Sequence, residues 1–460
     1  MRPRVIVAGA GLGGSIVADA LAETHDVTVV ELGRAVLDMQ ARVDDVAVPA
    51  RLDPHVGAGP GGTTALWHNG LIEIDERVFA ERWPFPKATL APYYARAYPL
   101  LGGIERAQLE APSAELRRRH AQARVDAEAS ALLYCPVGRR NLWESLGLEG
   151  RVRRVTGEVT SLELDGDRAR AVLAKTPDGE LRLEADEVVL AAGGLGTPGI
   201  LQSIEHAAPG LRNAGRFYED HPMGFVGLAR LRAPLYRFWN WDVPGTDGFL
   251  RMPLIVVEDG LQVSFQLRPA ALFLGGAGRE RMGSMLTKLR NEPFNPLHYL
   301  RVLRHGDDLL DVLSLRFGIK IPTRHYSLLM VAEQPPADAR AVSLERGRVR
   351  RRWELPPAYL ATLSRAIERF VAGLGDVVIS SQIFPRWADD LQSAAHHSGT
   401  ARMSRTPEDG VCDADARVHG LANVSVADGS LIPGSGIANT GLTIAALALR
   451  LADRLRGARA

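Results

Sequence analysis

The segment RVIVAGAGLGGSIVADALAETHDVTVVELG, residues 4–33, decides the fold of this chain. It opens on a short β-branched run, Val5 to Ala8, of the kind that forms a buried parallel strand. Gly9, Gly11 and Gly14 follow in the spacing G-x-G-x-x-G and lead into a stretch with the apolar periodicity of a helix, Ser15 to Glu23. The segment therefore predicts a strand, a glycine turn and a helix in direct succession.

A second strand, predicted over Val27 to Val30, ends in an acidic residue, Glu31. An acid about 20 residues beyond the glycines is the position that binds a ribose hydroxyl in dinucleotide folds. The glycines allow a tight turn and close approach of a pyrophosphate, which the positive end of the helix attracts. We therefore predict a dinucleotide site. Glu31 disfavours NADP because it would repel the 2′-phosphate, but this segment alone leaves FAD and NAD as alternatives.

The overall composition narrows the class of protein. A chain of 460 residues suffices for two large domains, and its formal net charge of +1 gives no field that favours nucleic acid. Its two cysteines, Cys135 and Cys412, lack the spacing of a disulfide framework or a metal site. Glycines interrupt the apolar run at the N-terminus, and no segment offers the roughly 20 apolar residues that span a bilayer. We expect a cytoplasmic protein without a transmembrane segment or a metal.

Two further glycine clusters extend the predicted site. The run GAGPGG, residues 57–62, excludes regular helix or strand and would let a flat ligand approach the backbone. From Val152 onward, alternation of apolar and polar residues predicts a three-stranded antiparallel meander that returns to a buried strand, Glu187 to Ala191. That strand ends in a second glycine turn, residues 193–198, at the edge where ligands of α/β sheets bind. A chain that leaves its nucleotide-binding fold and then returns to it with a second glycine turn is typical of flavoproteins.

Residues 215–385 have a different pattern. Strand candidates (LQVSFQLRPA, HYSLLMVAEQ and RAVSLERGRVRRRW) accompany a predicted helical stretch, residues 279–317. We predict a substrate-binding domain over 215–385, inserted between two parts of a cofactor-binding domain, 1–214 and 386–460. The basic residues of the helical stretch leave two interpretations open, a solvated outer face or a surface for a membrane or redox partner.

The C-terminal block, which begins HHSGTARM at His396, resembles the signature end of the glucose–methanol–choline (GMC) family of FAD-dependent oxidoreductases. In that family a catalytic histidine precedes Gly-Thr, a short strand leads to Asp-x-Ser, and a second histidine or an asparagine opens the last helix. The segments WPFPKATLAPYY and GRFYEDHP and the glycine clusters match in the same order, whereas residues of about 225–385 match loosely. The resemblance implies an α/β fold with a Rossmann-like FAD-binding domain, similar to that of p-hydroxybenzoate hydroxylase, and an inserted α+β substrate domain built on an antiparallel sheet.

The resemblance also implies a catalytic pair. His396 lies three positions before Gly399 of the Gly-Thr pair, and Asn439 stands at the start of the last helix. Histidine, with an ordinary pKa near 6.5, can accept a proton at pH 7, whereas asparagine does not titrate and can only form hydrogen bonds. We therefore interpret His396 as the base and Asn439 as its hydrogen-bonding partner. Other histidines in these motifs are interpreted as packing or structural residues: His397, His221 and His419.

The cofactor implied by the resemblance is FAD, held non-covalently, because Leu66 occupies the position where covalent members of the family carry a histidine. His68 would lie near the reactive edge of the flavin, where relatives carry a small residue, so reactivity with oxygen stays open. Asp428 and Gly429 match the element that backs the flavin and its pyrophosphate. The residues predicted to hold FAD are Gly9, Gly11, Leu12, Gly14, Glu31, Gly62, Thr63, His68, Asn69, Gly70, Val159, Ala192, Gly193, Asp428, Gly429, Asn439 and Thr440.

The activity implied is oxidation of a CH–OH group by hydride transfer to flavin N5. We expect a small-molecule alcohol as substrate, namely a sugar, a sugar-containing metabolite or a polyol, and oxygen, a quinone or a redox protein as electron acceptor. A non-redox lyase of the same fold with a structural FAD is the alternative function. A flavoprotein that only binds a partner would need neither His396 nor Asn439, and a nicotinamide dehydrogenase fits the motifs least.

Overall fold

The computed structural model of the protein describes residues 2–33, 37–38, 43–46, 57–65, 67, 69–134, 141–233, 240–269, 294–297, 299–300 and 323–457. Most of the predicted helical stretch 279–317 therefore lies outside the described residues. Three residues singled out by sequence also lie outside them, namely Leu66, His68 and Cys135.

The strands and helices of the described residues are numbered in chain order. The strands are β1 Arg4–Ala8, β2 Asp26–Glu31, β3 Leu37–Asp38, β4 Val43–Val46, β5 Gly57–Ala58, β6 Gly70–Leu71, β7 Glu128–Ala129, β8 Leu132–Tyr134, β9 Arg153–Thr156, β10 Glu158–Asp165, β11 Arg168–Thr176, β12 Gly179–Glu184, β13 Glu187–Leu190, β14 Pro222–Leu231, β15 Asn240–Asp242, β16 Phe249–Arg251, β17 Leu254–Glu258, β18 Leu261–Pro269, β19 His325–Ala332, β20 Ala341–Glu345, β21 Arg348–Arg352, β22 Val378–Ile383, β23 Gln392–Ser393 and β24 Val424–Val426. The helices are α1 Leu12–Leu21, α2 Glu76–Arg82, α3 Ala91–Gly102, α4 Glu110–Ala123, α5 Leu142–Ser145, α6 Gly193–Gln202, α7 Pro357–Gly373 and α8 Gly441–Gly457. Within this described part of the chain, no helix has the length and apolar character needed to cross a membrane.

A parallel sheet in the order β24-β13-β1-β2-β9 forms the centre of the molecule. Its register pairs Ala8 with both Val30 and Leu190, and Leu190 with Val426. The inner strands β1 and β13 are mainly apolar because neighbouring elements bury both of their faces. The carboxyl ends of β1, β2, β13 and β24 consequently meet at one edge, which is where α/β sheets bind their ligands. The predicted α/β fold is confirmed.

Helix α1 begins at Leu12, three residues earlier than the sequence pattern predicts. The difference arises because Gly13 and Gly14 belong to the first helical turn. A side chain there would collide with neighbouring backbone. A Cβ on Gly13 would lie 1.7 Å from the carbonyl oxygen of Ala427, the residue that follows β24. Helix α8 packs against both α1 and α3, and the Tyr94 hydroxyl lies 2.8 Å from the Thr443 hydroxyl at the α3–α8 contact.

The predicted antiparallel meander is confirmed. Strands β10, β11 and β12 form an antiparallel sheet, and the chain then enters β13 beside β1. Leu162 of β10 is buried between the polar residues Ser161 and Glu163, and Ala169 of β11 is buried between Arg168 and Arg170. Alternation of this kind is expected for an antiparallel sheet with one solvated face.

A second sheet, in the order β22-β14-β19-β18-β17-β7 with β23 beside β14, is antiparallel and is the largest sheet in the described part of residues 215–385. Helix α7 covers one face of it, where Phe265 stacks on Phe370 with ring centroids 4.1 Å apart. Strands β7 and β23 join this sheet from outside residues 215–385, so the two parts of the chain are continuous through backbone pairing. The proposed domain boundaries stay a prediction.

The close approach of α1 to β24 gives a test of the fold. We expect Gly13→Ala to destabilise the protein by about 1–3 kcal/mol, because the added methyl overlaps the Ala427 carbonyl and forces the backbone apart. Gly457→Ala makes the same change at a helical glycine with open space around it and should be neutral or slightly stabilising. Urea unfolding at neutral pH measures both variants, and equal stability of the two would contradict the close approach.

Candidate active site

The first glycine turn contains glycines of two kinds. Gly9 has a φ of +111°, and a Cβ there would lie 2.3 Å from the Ala191 carbonyl oxygen, so packing within the protein requires it. At Gly11 the backbone has an ordinary φ of −69°, and the nearest described atom to an added Cβ is again the Ala191 oxygen, 3.9 Å away. Packing within the described protein therefore does not require a glycine at residue 11. A glycine at this position fits a site where a ligand approaches the backbone at the start of α1.

Glu31 joins the first glycine turn to the second cluster. It is 6% exposed, and its Oε2 accepts a hydrogen bond from the Ala10 N–H at 2.6 Å. Its Oε1 accepts from the N–H groups of Gly59, at 2.9 Å, and Gly33, at 3.5 Å. Burial raises the pKa of the Glu31 carboxyl, although these backbone donors oppose the rise. Each carboxylate oxygen has two lone pairs. Oε2 therefore keeps the capacity to accept a ribose hydroxyl.

The second cluster connects this end of the site to Asn439. Thr63 fixes the turn by accepting from the Gly57 N–H at 3.2 Å, and Gly62 lies against Gly11. Asn69 is fully buried and donates from Nδ2 to the Leu101 carbonyl, while its Oδ1 has no hydrogen-bond partner among the described residues. A Cβ on the next residue, Gly70, would lie 3.4 Å from the Asn439 Nδ2.

Residues 193–198, predicted as a second glycine turn, form the first part of α6, and Asp428 joins the start of this helix to the turn that follows β24. Its Oδ2 accepts from the Gly193 N–H at 2.8 Å and from the Thr197 hydroxyl at 2.5 Å, while Oδ1 accepts from the Ser430 N–H. Burial raises the pKa of this carboxyl, and the same hydrogen bonds oppose the rise. The Asp428 carboxylate is thus used to hold Gly193, which has a φ of +80° and open space around its Cα.

The other residues predicted to hold FAD lie along the same edge of the parallel sheet. Leu12 opens α1, Ala192 precedes α6, and Thr440 precedes α8. Gly14 packs against the Gly9 carbonyl, and Gly429 packs against the His397 carbonyl. Val159 lies on β10, three residues beyond Thr156, which pairs with Glu31. Open backbone, a buried acid and helix starts at one sheet edge fit a dinucleotide cofactor such as FAD.

His396 is in contact with a second, fully buried histidine. Its Nδ1 lies 2.7 Å from the Nδ1 of His221, and the two rings are nearly perpendicular. The Nε2 of His221 lies 3.1 Å from the hydroxyl of Ser435, four residues before Asn439 in the loop that enters α8. The structure therefore joins the two predicted catalytic residues through His221 and this loop.

The buried carboxylate of Asp220 positions both histidines. Its Oδ1 accepts the backbone N–H of His221 at 2.7 Å and that of His396 at 3.0 Å. Burial alone would raise the pKa of this carboxyl, but hydrogen bonds from His397 and Ser393 and the Arg351 charge hold it well below its ordinary value. Asp220 is therefore ionised at neutral pH.

His397 faces away from His396. Its Nδ1 lies 2.8 Å from the Tyr218 hydroxyl and 3.4 Å from the Asp220 Oδ2, so the ring packs on the far side of the carboxylate. His419, also interpreted as structural, lies 3.0 Å from the Ser404 hydroxyl. Adjacent side chains that point in different directions seldom share one task, and His397 and His396 follow that rule.

Sequence reasoning missed the part played by His221, Ser435 and Glu219. The segment GRFYEDHP, residues 215–222, signals them only weakly, because it places two acids and a histidine beside a predicted strand. Charged side chains are seldom fully buried unless they are paired, and nothing in their spacing indicates that Glu219, Asp220 and His221 are each 0% exposed.

Comparison with known proteins identifies the class. A family model described as GMC oxidoreductase matches residues 361–448, which carry His396 and Asn439. An oxygen-dependent choline dehydrogenase of Pseudomonas savastanoi is 24% identical over 343 residues, 64% of this chain and 54% of that protein. An uncharacterized GMC-type oxidoreductase of Mycobacterium tuberculosis is 28% identical over 311 residues, 62% of this chain and 42% of that protein. The chain thus spans about half the length of the curated relatives that it matches.

Solved structures share the fold over almost the entire chain. Pyridoxine 4-oxidase from Mesorbium loti has a TM-score of 0.65 at 17% identity, with 99% of both chains covered. Formate oxidase from Aspergillus oryzae has a TM-score of 0.62 at 16% identity, with 99% of this chain and 98% of that chain covered. These matches show the fold, and the site fits a dinucleotide cofactor. Residues 361–448 of the chain are thus similar to the glucose–methanol–choline (GMC) oxidoreductases, and the curated relatives described above are GMC-type or choline-oxidising proteins.

The charge of Asp220 gives a test of the site. Its pKa in the folded protein lies well below the ordinary value. The ionised carboxylate therefore stabilises the fold fully above pH 4, and this stabilisation decreases as the pH falls further. We expect Asp220→Asn to cost about 3 kcal/mol at pH 7 and the same at pH 5, with a smaller difference only below about pH 4.

Urea unfolding of the wild type and the variant over this pH range measures the effect. Asp178→Asn, which changes an exposed carboxylate in a turn, should stay within about 0.5 kcal/mol of the wild type at every pH. A cost for Asp220→Asn no larger than that of the control would show that the carboxylate does not organise the site.

Proposed function

We propose that the protein is an FAD-dependent oxidoreductase that oxidises a CH–OH group of a small polar alcohol. The observation that carries this proposal is the contact between His396 and His221 at 2.7 Å, which fixes the His396 ring in one orientation beside the Asn439 loop. Because Nδ1 faces His221, Nε2 is the ring atom assigned to accept the hydroxyl proton of the substrate. A fixed general base, connected through His221 and Ser435 to the loop that carries a non-titrating hydrogen-bond donor, suits alcohol oxidation.

The residues divide the chemistry between them. FAD, when bound, supplies the acceptor for the hydride that leaves the alcohol carbon. His396 removes the hydroxyl proton, so that negative charge develops on the substrate oxygen. The Asn439 amide can donate a hydrogen bond to that oxygen, and its partial burial strengthens such a bond. Asp220 holds the backbone N–H of His396 and thereby sets the position of the base.

FAD would be held by the backbone around Gly11, by Glu31 at a ribose hydroxyl and by the turn at Gly193. We propose non-covalent binding, because the family position for a histidine linkage is Leu66 in this sequence. His68 lies outside the described residues, so the choice between oxygen and another electron acceptor rests on experiment.

A polar wall supports a hydrophilic substrate such as a sugar or polyol. The face of β18 opposite α7 carries Gln262, Ser264, Gln266 and Arg268, all buried. The Gln262 Oε1 has no hydrogen-bond partner among the described residues and would lie 3.5 Å from a Cβ on Gly436, in the Asn439 loop. Buried polar groups require partners, so hydroxyl groups of a substrate would satisfy this wall better than an apolar ligand would.

Anaerobic flavin reduction tests the proposal directly. The purified protein is mixed with D-glucose, glycerol, choline, pyridoxine or formate, bleaching of the flavin absorbance is followed, and air is then admitted. Bleaching by at least one alcohol supports the proposal, and rapid recovery in air identifies an oxidase. An elimination product formed while the flavin stays oxidised would instead establish a lyase.

Replacement of the base tests the mechanism. We expect His396→Ala to retain FAD and to lose at least about 100-fold in the rate of anaerobic flavin reduction, because the variant lacks the group assigned to take the proton. His206→Ala removes an exposed histidine on a distant surface turn and should leave the rate unchanged. Stopped-flow absorbance measures both rates, and an unchanged rate in the His396 variant would refute the assignment.

The open position at Gly11 tests the cofactor site. We expect Gly11→Ala to fold as stably as the wild type, since an added Cβ has open space among the described residues, but to lose most of its FAD because the methyl occupies the cofactor's space. Gly457→Ala serves as the control with unchanged FAD. The ratio of flavin to protein absorbance, with acid precipitation to release the flavin, measures the content and its non-covalent state. Full FAD content in the Gly11 variant would contradict the site.

A further inference from the structure

A continuous line of hydrogen-bonding groups leads away from His396 into the protein. The His396 Nδ1 contacts the His221 Nδ1 at 2.7 Å, and the His221 Nε2 contacts the Ser435 hydroxyl at 3.1 Å. The Ser435 hydroxyl in turn donates to the Oε1 of Glu219 at 3.2 Å. His221 and Glu219 are 0% exposed and Ser435 is 1% exposed, so the line is shielded from solvent along its length.

The hydrogen bonds along this line can all donate in the same direction, from His396 towards Glu219. Burial lowers the pKa of His221, so its ring is neutral at pH 7 and carries one N–H. Because the Ser435 hydroxyl donates to Glu219, it accepts from His221, which places that N–H on Nε2. The His221 Nδ1 is then an acceptor, and His396 donates to it from Nδ1. The lone pair on the His396 Nε2 is thereby oriented towards the substrate.

Glu219 forms a long ion pair with Arg82 that lacks a hydrogen bond. The Nη2 of Arg82 lies 2.7 Å from Glu333, but its Nη1 is 3.8 Å from Glu219, beyond hydrogen-bonding distance. Arg77 also pairs with Glu333, at 2.7 Å, and the Oε2 of Glu219 has no hydrogen-bond partner among the described residues. A buried carboxylate left in this state favours its protonated form.

The surroundings of Glu219 set the pH at which it titrates. Burial raises the pKa of its carboxyl to about 7, and Arg82 opposes this rise while Glu333 adds to it. The other charged or titratable groups that face the Glu219 carboxyl are His221, Arg340, Tyr359 and Arg402. The carboxyl is therefore about half ionised at pH 7 and can take up a proton near neutral pH.

We propose that His221, Ser435 and Glu219 form a proton relay that carries the alcohol proton from His396 to a buried carboxylate. The substrate O–H breaks as an N–H forms on the His396 Nε2, and the Nδ1 proton of His396 passes to the His221 Nδ1. The Nε2 proton of His221 passes to Ser435, and the Ser435 hydroxyl proton passes to Glu219. The carboxylate becomes a carboxylic acid, and both imidazoles end neutral. This inference rests on the proposed alcohol oxidation.

The Glu219 end of the relay lies close to solvent. The Arg82 side chain, adjacent to Glu219, is 15% exposed, and the Arg77 side chain is 32% exposed, so this end of the line approaches the surface. Asp220 already positions His396 and His221 through their backbone N–H groups, so orientation of the base does not require Glu219. The relay residues act through His396 and do not touch the substrate.

The pH dependence of flavin reduction tests the relay. With an alcohol that bleaches the wild-type flavin, the anaerobic reduction rate should rise with pH through about 7, because only ionised Glu219 can accept the proton. Glu219→Gln and Ser435→Ala should each lose this rise and at least about 10-fold of the rate at high pH. The rate is also measured in mixtures of H2O and D2O. A plot of rate against deuterium fraction should be curved for the wild type and linear for each variant.

A matched control removes the neighbouring charge. Glu333→Gln makes the same chemical change in the same arginine cluster without a contact to Ser435. It should keep the rise but move it to lower pH, because the Glu333 charge raises the Glu219 pKa. If an alcohol reduces the wild-type flavin and the rate for Glu219→Gln rises with pH in the same way, the relay is refuted but the proposed function is not. A linear isotope plot for the wild type would have the same consequence.

A measurement without substrate separates the relay from the proposed function. Infrared difference spectra between pH 5 and pH 9, recorded on the FAD-loaded protein, should show a protonated-carboxyl band that titrates near pH 7 and disappears in Glu219→Gln. Absence of this band overturns the relay whatever the enzyme oxidises. Failure of every alcohol to bleach the flavin overturns the proposed function, and the relay with it, even where the band is present.

Discussion

The buried carboxylate of Asp220 is the interaction on which the candidate active site depends. It lies between two chain segments that are about 175 residues apart in sequence, and it accepts the backbone N–H of His221 from one and of His396 from the other. An ionised group without water is unfavourable unless it is hydrogen-bonded on all sides. Tyr218, Ser393 and His397 donate hydrogen bonds to it. The buried Arg351 guanidinium, 3.9 Å away, supplies the opposite charge. Because the carboxylate needs all these donors, the geometry of the histidines is determined together with the fold.

The cofactor end of the molecule rests on a different constraint, the close approach of backbones. The carboxyl ends of the parallel strands converge, and the turns that leave them lie in contact with one another, so that side chains are excluded at Gly9 and Gly13. Gly11 and Gly193 lie in the same turns, but the described protein does not fill the space beside them. This contrast separates glycines that serve packing from glycines that leave room for a ligand.

The sequence predicts the cofactor half of this architecture well because its signals are local. Strand, glycine spacing, helix and acid follow one another within residues 4–33, and the meander over β10, β11 and β12 has alternation and turns of its own. The second sheet is less predictable, since β7 and β23 reach it from distant parts of the chain. The interpretation of His221 as structural has the same origin, because its contacts with His396 and Ser435 span 175 and 214 residues and leave no mark in local periodicity.

The opposite directions of His396 and His397 have a cost in backbone conformation. Ala395, immediately before them, has a φ of +61°, a left-handed conformation that costs a non-glycine residue about 1–2 kcal/mol. The Ser393 hydroxyl holds it by accepting the Ala395 N–H at 3.0 Å. On the facing segment Phe217 has a φ of +60°, and the Arg402 guanidinium lies over its ring at 3.5 Å. Strain of this kind persists only where surrounding contacts enforce it, and it is concentrated where side chains must be aimed. Two such residues on the two segments that Asp220 joins therefore support the assignment of this region, rather than the sheet alone, as the functional centre.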